Sequence, residues 1–413
     1  MKRWVSALVL AVQPWAALAQ HAPLPGWLPP AVQAGEWIEQ DATVALARHG
    51  TAAAGHAAQA LAAGSQEWSL RLQAQRRQFQ DGPAASREWQ AHVERPWRSA
   101  GKAALDAQLG RAEQDVARAQ LGEARHESAR ALADLWVGVL AARQREALAV
   151  SQVALAEANL AAVQKRRRAG DAAVLDEQQA RADVGESQRE LVASRTVLTK
   201  AQAGLRTRFA AEANADARLG DVDEPGWTQA AWLARVLEEA DAIKLRQAEA
   251  ERVRLAASRS RADRVADPVV GVFTASEARG QERLVGLSLT LPIGGTHREQ
   301  RSLQLAREAD MADAALDQMR REVEQQARET WADATGSRER WQLARQTAAL
   351  AAENARLVQR AYTLGEADLQ SLLMARRQSG LNSQAALEAQ SEALRWAARL
   401  LIDAHQIWDL EHD

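Results

Sequence analysis

What most constrains this chain is that it repeats itself once. Pro96 stands 74 residues before Gly170 and Pro292 stands 73 before Gly365, so two halves share one layout at an offset of 195 or 196. The offset of 195 aligns Trp136 with Trp331, Arg143 with Arg338, Arg145 with Arg340, Leu148 with Leu343 and Leu155 with Leu350. It also aligns Asn159 with Asn354, Val163-Gln164 with Val358-Gln359, Gly170 with Gly365, and Ala180-Arg181 with Ala375-Arg376. In a composition rich in Ala and Arg, the Trp, Asn and Gly matches carry the signal.

Each Pro-to-Gly segment is free of internal proline and rich in Ala, Leu, Gln, Glu and Arg, which predicts long helices over about 97–169 and 293–364. Leu343, Leu350, Leu357 and Leu364 recur every seven residues beside Thr347, Asn354 and Ala361, the pattern of a coiled-coil seam with close helix approach. At 1.5 Å per residue such a helix is a rod of roughly 110 Å, too long to fold back into a globule. Lys165-Arg166-Arg167-Arg168 suits a helix C-terminus, Gly170 a left-handed cap, and Asp171, Asp176 and Glu177 the start of the next helix. Gly365 with Glu366 and Asp368 repeats this turn, so each glycine marks the tip of a helical hairpin.

Before each long helix the pattern switches to period two. Trp68, Leu70, Leu72 and Ala74 alternate with polar residues, as do Trp89, Ala91 and Val93; Val270 and Val272, then Val285, Leu287, Leu289 and Leu291, follow in the second half. Strands are expected at about 67–76, 87–95, 268–276 and 282–291. Aromatics make up only 4% of the chain and mean hydropathy is −0.38, so little bulk is available to cover an apolar sheet face in a soluble core. A barrel in lipid needs this alternation, with Trp68, Trp89, Trp97 and Phe273 near its rims. Four strands leave two open edges, so chains must pool strands.

Shorter helices are expected over about Asp41 to Ala63 and Trp227 to Ser260, an irregular segment over His21 to Pro30, and a polar linker over 211–226. The first repeat is thus 20–210 and the second 227–413. Lys2 and Arg3, an apolar stretch from Trp4 to Val12, and Ala17-Leu18-Ala19 predict an export signal over 1–19. No later stretch reads as a membrane helix; the best, Ala131 to Ala142, contains Asp134. A net charge of −2 argues against a nucleic-acid binder, and the absence of cysteine excludes disulfides and thiolate chemistry.

With these features the sequence resembles the TolC family of outer-membrane efflux proteins across the mature chain. The tips Arg168-Ala169-Gly170-Asp171-Ala172-Ala173-Val174-Leu175-Asp176 and Tyr362-Thr363-Leu364-Gly365-Glu366-Ala367 look like the family's periplasmic turns. Asp267-Pro268-Val269-Val270-Gly271 and Val285-Gly286-Leu287-Ser288-Leu289-Thr290-Leu291-Pro292 look like its second strand pair. The resemblance implies a mainly α chain whose four strands join a homotrimeric 12-stranded outer-membrane barrel, continued by a helical tunnel in the periplasm. It implies a passive exit duct with a periplasmic adaptor and an inner-membrane pump as partners, and it leans toward members serving heavy-metal or other cation pumps. It places adaptor docking at Gly170, Asp171, Gly365 and Glu366, and a periplasmic gate at Asp176 and Tyr362. Tyr362 could instead simply cap the leucine stripe at Leu357 and Leu364. The chain departs from the family pattern at Ser371 and Met374, where some members carry gate acids, at Ala367 in place of a basic residue, and in the arginines of its first strand pair.

Sharper motifs fail. His126-Glu127 begins like a zinc-protease helix, but Arg130 occupies the second histidine position, and Gly101-Lys102 follows Pro96 where a phosphate loop needs glycine. His49 with His56, and His405 with His412, are expected to be solvated or packed, since no carboxylate set converges on them. No catalytic, cofactor or metal site is expected. The rival classes are a periplasmic adaptor, which would carry one hairpin and compact β domains, and an envelope coiled coil, which would leave the strands unexplained.

Overall fold

The computed structural model describes residues 25–78, 80 and 85–408; the expected export signal and His412 lie outside them. Each half runs short helix, 22-residue helix, strand pair, 69-residue helix, return helix. In the first half these are α1 (Ala31–Gln40), α2 (Ala42–Ala63), β1 (Ser69–Arg77), β2 (Ser86–Pro96), α3 (Ala100–Arg168) and α4 (Val174–Phe209). In the second they are α5 (Gln229–Glu239), α6 (Asp241–Ala262), β3 (Val269–Glu277), β4 (Glu282–Thr290), α7 (Thr296–Leu364) and α8 (Leu369–Asp403).

The long helices begin three residues later than the prolines suggest. Trp97 N–H donates to the Pro268 carbonyl at 2.7 Å, tying the two strand pairs together, and Ser99 then caps α3 by accepting from Lys102 N–H at 3.4 Å. At 69 residues each, α3 and α7 run roughly 100 Å. By length and composition α3 also passes the threshold for a membrane span, which the sequence reading did not anticipate. Only 22% of that apolar window is buried within the chain, although α3 as a whole packs on α2, α4, α6 and α8.

The segment expected as one helix from Trp227 to Ser260 is two, broken at Ala240 (φ −55°, ψ 112°). The break frees α5 to bury Trp232 and Val236 while α6 packs along α3 and α7. The two halves also place matching tryptophans together, Trp37 with Trp136 at 6.0 Å between ring centroids and Trp232 with Trp331 at 5.7 Å. The linker, expected to be a polar tether, is packed. Ala211, Ala213, Leu219 and Val222 are buried in the main core with Trp27, Trp136 and Leu394. The duplicated arginines hold it: Arg143 donates to the Ala213 and Asn214 carbonyls, and Arg338 to that of Val222.

The leucine stripe is not the seam of the hairpin. Leu343, Leu350, Leu357 and Leu364 are all exposed within the chain. The buried and half-buried face of α7 instead steps by alternating threes and fours from Ala327 through Thr330, Ala334, Ser337 and Trp341 to Ala344, Ala348, Ala351, Ala355, Val358 and Tyr362. Small side chains there let α8 approach closely, which a leucine row would prevent.

Candidate functional site

The four strands form one antiparallel sheet in the order β1-β2-β3-β4, leaving β1 and β4 as edges. The register settles which residues share a face. Leu70 opposes Val93, Leu72 opposes Ala91, and Ala74 opposes Trp89. Across the junction of the halves Val93 opposes Val272, and Val272 opposes Leu287. One face is thus apolar across all four strands, and its valines and leucines are exposed in the single chain.

The opposite face is polar. Arg71 Nη2 donates to Glu94 at 2.9 Å and Gln75 to Glu88 at 2.9 Å, while Arg77 lies 3.1 Å from the same Glu88. Arg71 and Arg77 project from the polar face, whereas Arg76, Arg87 and Arg95 keep the register of the apolar face and stand toward its strand ends. Phe273 departs from the expectation of a rim aromatic. It stacks on His92 at 5.3 Å on the polar face and lies over Gly286, where a Cβ would come within 2.5 Å of its ring.

At the far end both hairpins close by the same device. Gly170 (φ +87°) and Gly365 (φ +82°) take the left-handed conformation. Asp171 N–H returns to the Arg166 carbonyl and Glu366 N–H to the Ala361 carbonyl, each at 2.9 Å. Gly170 and Gly365 N–H donate to Arg167 and Tyr362, completing a Schellman cap at each tip. No atom lies within 4 Å of the position a Cβ would take at either glycine, so it is backbone conformation alone that favours glycine there.

Asp176 accepts from Ala173 N–H at 3.1 Å and so secures the start of α4. Tyr362 is buried with Val163, Ala180, Leu369 and Leu372, with the Arg166 guanidinium 5.2 Å above its ring. It belongs to the hairpin contact and does not cap the exposed leucine stripe. Glu177, expected only as a charge at the start of α4, is 3% exposed and paired with Arg167 and Arg181. An open groove of about 680 Å³ separates the tips, lined by Asn159, Arg166, Asp171, Tyr362, Gly365 and Arg376. Burial pulls the Arg376 guanidinium below its usual pKa against the opposing pull of Asp183 and Tyr362.

A second polar cluster joins the two halves midway along α3. His126 Nδ1 and His405 Nε2 each lie 3.4 Å from Asp241 Oδ2, and His126 Nε2 lies 3.3 Å from Asp403 Oδ1. A carboxylate thus converges on His405 and on His126, contrary to expectation, because α6 and the end of α8 deliver it from distant sequence. Burial would keep the His126 ring neutral, but Asp241 and Asp403 outweigh it and raise its pKa. Burial would likewise raise Asp241, yet the two histidines hold it well below the usual carboxylate range.

A four-stranded sheet that ends in two long duplicated hairpins defines the architecture of outer-membrane channel protomers with a helical periplasmic barrel. This is the fold of the TolC-type efflux channels that the sequence resembles. The chain superposes on the outer-membrane channel OprN with a TM-score of 0.77 at 16% identity, over 93% of this chain and 92% of that one. It superposes on the outer-membrane protein VceC from Vibrio cholerae with a TM-score of 0.70 at 16% identity, over 90% and 95%. For the CmeC outer-membrane channel of Campylobacter jejuni the values are 0.70 and 10%, over 92% and 86%. At these identities the likeness is one of fold. No protein-family model and no curated protein matches the sequence.

Proposed function

We propose that the chain is the outer-membrane exit duct of a tripartite efflux system, conducting substrate passively and catalysing no reaction. The observation that carries this reading is the continuous apolar face over all four strands, joined through α3 and α7 to tips roughly 100 Å away. A sheet with one lipid-compatible face and two open edges is stable in a bilayer only when closed, and three copies supply a 12-stranded barrel. The exposed leucines of α7 then pack on a neighbouring chain. The Gly170-Asp171 and Gly365-Glu366 tips, with the groove between them, receive a periplasmic adaptor that couples the duct to an inner-membrane pump. Asp176 and Tyr362 serve the periplasmic gate.

Outer-membrane fractionation followed by crosslinking in mild detergent tests this directly. The chain is expected in the outer-membrane fraction, with crosslinked species ending at three copies. A monomer that stays soluble without detergent would overturn the barrel.

A further inference from the structure

The buried histidine–aspartate cluster lies away from both the strands and the tips, and conduction leaves it without a role. We propose that His126, Asp241 and His405 form a binding site for one four-coordinate divalent cation of the zinc type, pinning the first repeat to the second.

The spacing carries the proposal. A separation of 3.4 Å from each histidine nitrogen to Asp241 Oδ2 is long for a charge-assisted hydrogen bond, which closes to roughly 2.7–2.9 Å. It matches the edge of a tetrahedron: ligands about 2.0–2.1 Å from zinc lie ~3.4 Å apart. All three candidate ligand atoms fall within 4.8 Å of one another, and the two ring centroids are 5.2 Å apart with the planes at 38°. His126 is 4% exposed, and its Nδ1 faces Asp241 only at this long separation, with no closer hydrogen bond.

The surroundings are built for such a site. Asp403 faces the other nitrogen of His126, the carboxylate–histidine arrangement that orients metal ligands, and is itself held by Arg130 at 2.8 Å. Gly122, one turn before His126, makes room for the third ligand, since a Cβ there would lie 3.0 Å from Asp241 Oδ1. Glycine inside a helix is otherwise destabilising, so its presence here answers to close approach. The break at Ala240 puts Asp241 at the first position of α6, against α3. His405 is held at φ +50°, a left-handed conformation uncommon outside glycine, just beyond α8. Two neutral imidazoles and one carboxylate suit zinc, cobalt, nickel or copper better than magnesium or calcium, and leave a fourth position for water.

The test uses the full chain purified in detergent, stripped with chelator and dialysed. Metal analysis after zinc addition should give one zinc per chain, and zinc should raise the unfolding temperature in a concentration-dependent way. Cobalt should give the strong visible absorption of a four-coordinate site. Asp241→Asn and His405→Gln should each weaken zinc binding by about tenfold or more, whereas His49→Gln and His56→Gln should leave it unchanged. Binding that survives both site variants, or a weak six-coordinate cobalt spectrum in the wild type, overturns the proposal. If the site variants fail to assemble, the wild-type stoichiometry and cobalt spectrum decide.

Discussion

Lys102 of α3 and Asp267, which precedes β3, meet where sheet becomes helix: the ammonium donates to Asp267 Oδ1 at 2.8 Å. The same nitrogen lies 3.0 Å from Asp263 Oδ1 and donates to the Val265 carbonyl at 2.7 Å. Beside it Asp106 is shared by Arg98 and Arg259. First-repeat and second-repeat groups thus interleave at the base of the sheet, fixing the angle at which both strand pairs leave the helices.

Replacing Lys102 with methionine keeps most of its length but leaves Asp267 without its cation. Because the Lys102 side chain is only 5% exposed, loss of about 1–3 kcal/mol is expected. Thermal unfolding of the assembled protein measures it, and an unchanged midpoint would mean that the network is dispensable.

Asp41 makes three bonds, two of which link α2 to α3 and α4. It accepts from Thr43 N–H at 3.1 Å as the N-cap, from the Ser128 hydroxyl at 2.7 Å, and from Arg208 Nε at 3.0 Å. Burial would raise its pKa, but Ser128, Thr43 and Arg208 outweigh burial and lower it. A depressed carboxylate stabilises above its unfolded pKa of about 3.9, and that contribution is lost as pH falls through the folded value. The stability gap between wild type and Asp41→Asn should therefore be constant from about pH 5 to 8 and narrow only below about pH 4. A gap that closes near neutrality would assign the effect to another group.

The sheet makes opposite predictions for adjacent residues. Leu287 lies on the apolar face and Ser288 on the polar face, opposite Gly271. Leu287→Arg should cost about 2–4 kcal/mol if it meets the middle of the bilayer, and barrel insertion should fall. Ser288→Arg should insert normally and alter conductance instead. Equal insertion of both variants would contradict the assigned faces.

What the sequence made legible was local. Period-two strands, the positive φ at Gly170 and Gly365, and the duplicated layout all follow from residue type and spacing within one element. What escaped depends on partners. Ala240 breaks a helix with neither glycine nor proline, because Trp232 and Asp241 are drawn toward different neighbours. The alanine face of α7 is quieter on any hydrophobicity scale than the leucine row beside it, yet small size decides which face another helix can approach. His126, Asp241 and His405 carry no mutual signal in a chain read linearly, and only the packing of α3, α6 and α8 brings them together.

The tips test backbone against side chain. Since a Cβ at Gly170 or Gly365 meets nothing within the chain, valine there costs only the left-handed strain, ~1 kcal/mol or more. Gly170→Val and Gly365→Val should leave assembly intact while efflux falls, because the reshaped turn no longer fits an adaptor. Normal efflux in both would remove the tips from the docking surface.

The proposed gate is the sharper case, since one substitution separates the packing of Tyr362 from the gate role proposed for it. Its ring is buried against Leu372 and Val163 under Arg166, and this packing needs no hydroxyl. Phenylalanine preserves the ring and the cation–π contact, so Tyr362→Phe should leave stability within about 0.5 kcal/mol of wild type. Asp176 is occupied within its own chain by Ala173 N–H, so a gate bond must use its remaining acceptor capacity. A hydroxyl-to-carboxylate bond repeated around a trimer is worth about 1.5–3 kcal/mol per copy. Tyr362→Phe combined with Asp176→Asn should therefore raise single-channel conductance in planar bilayers without loss of trimer. Unchanged conductance would assign Tyr362 to hairpin packing alone and leave the closing contact to other residues of the tips.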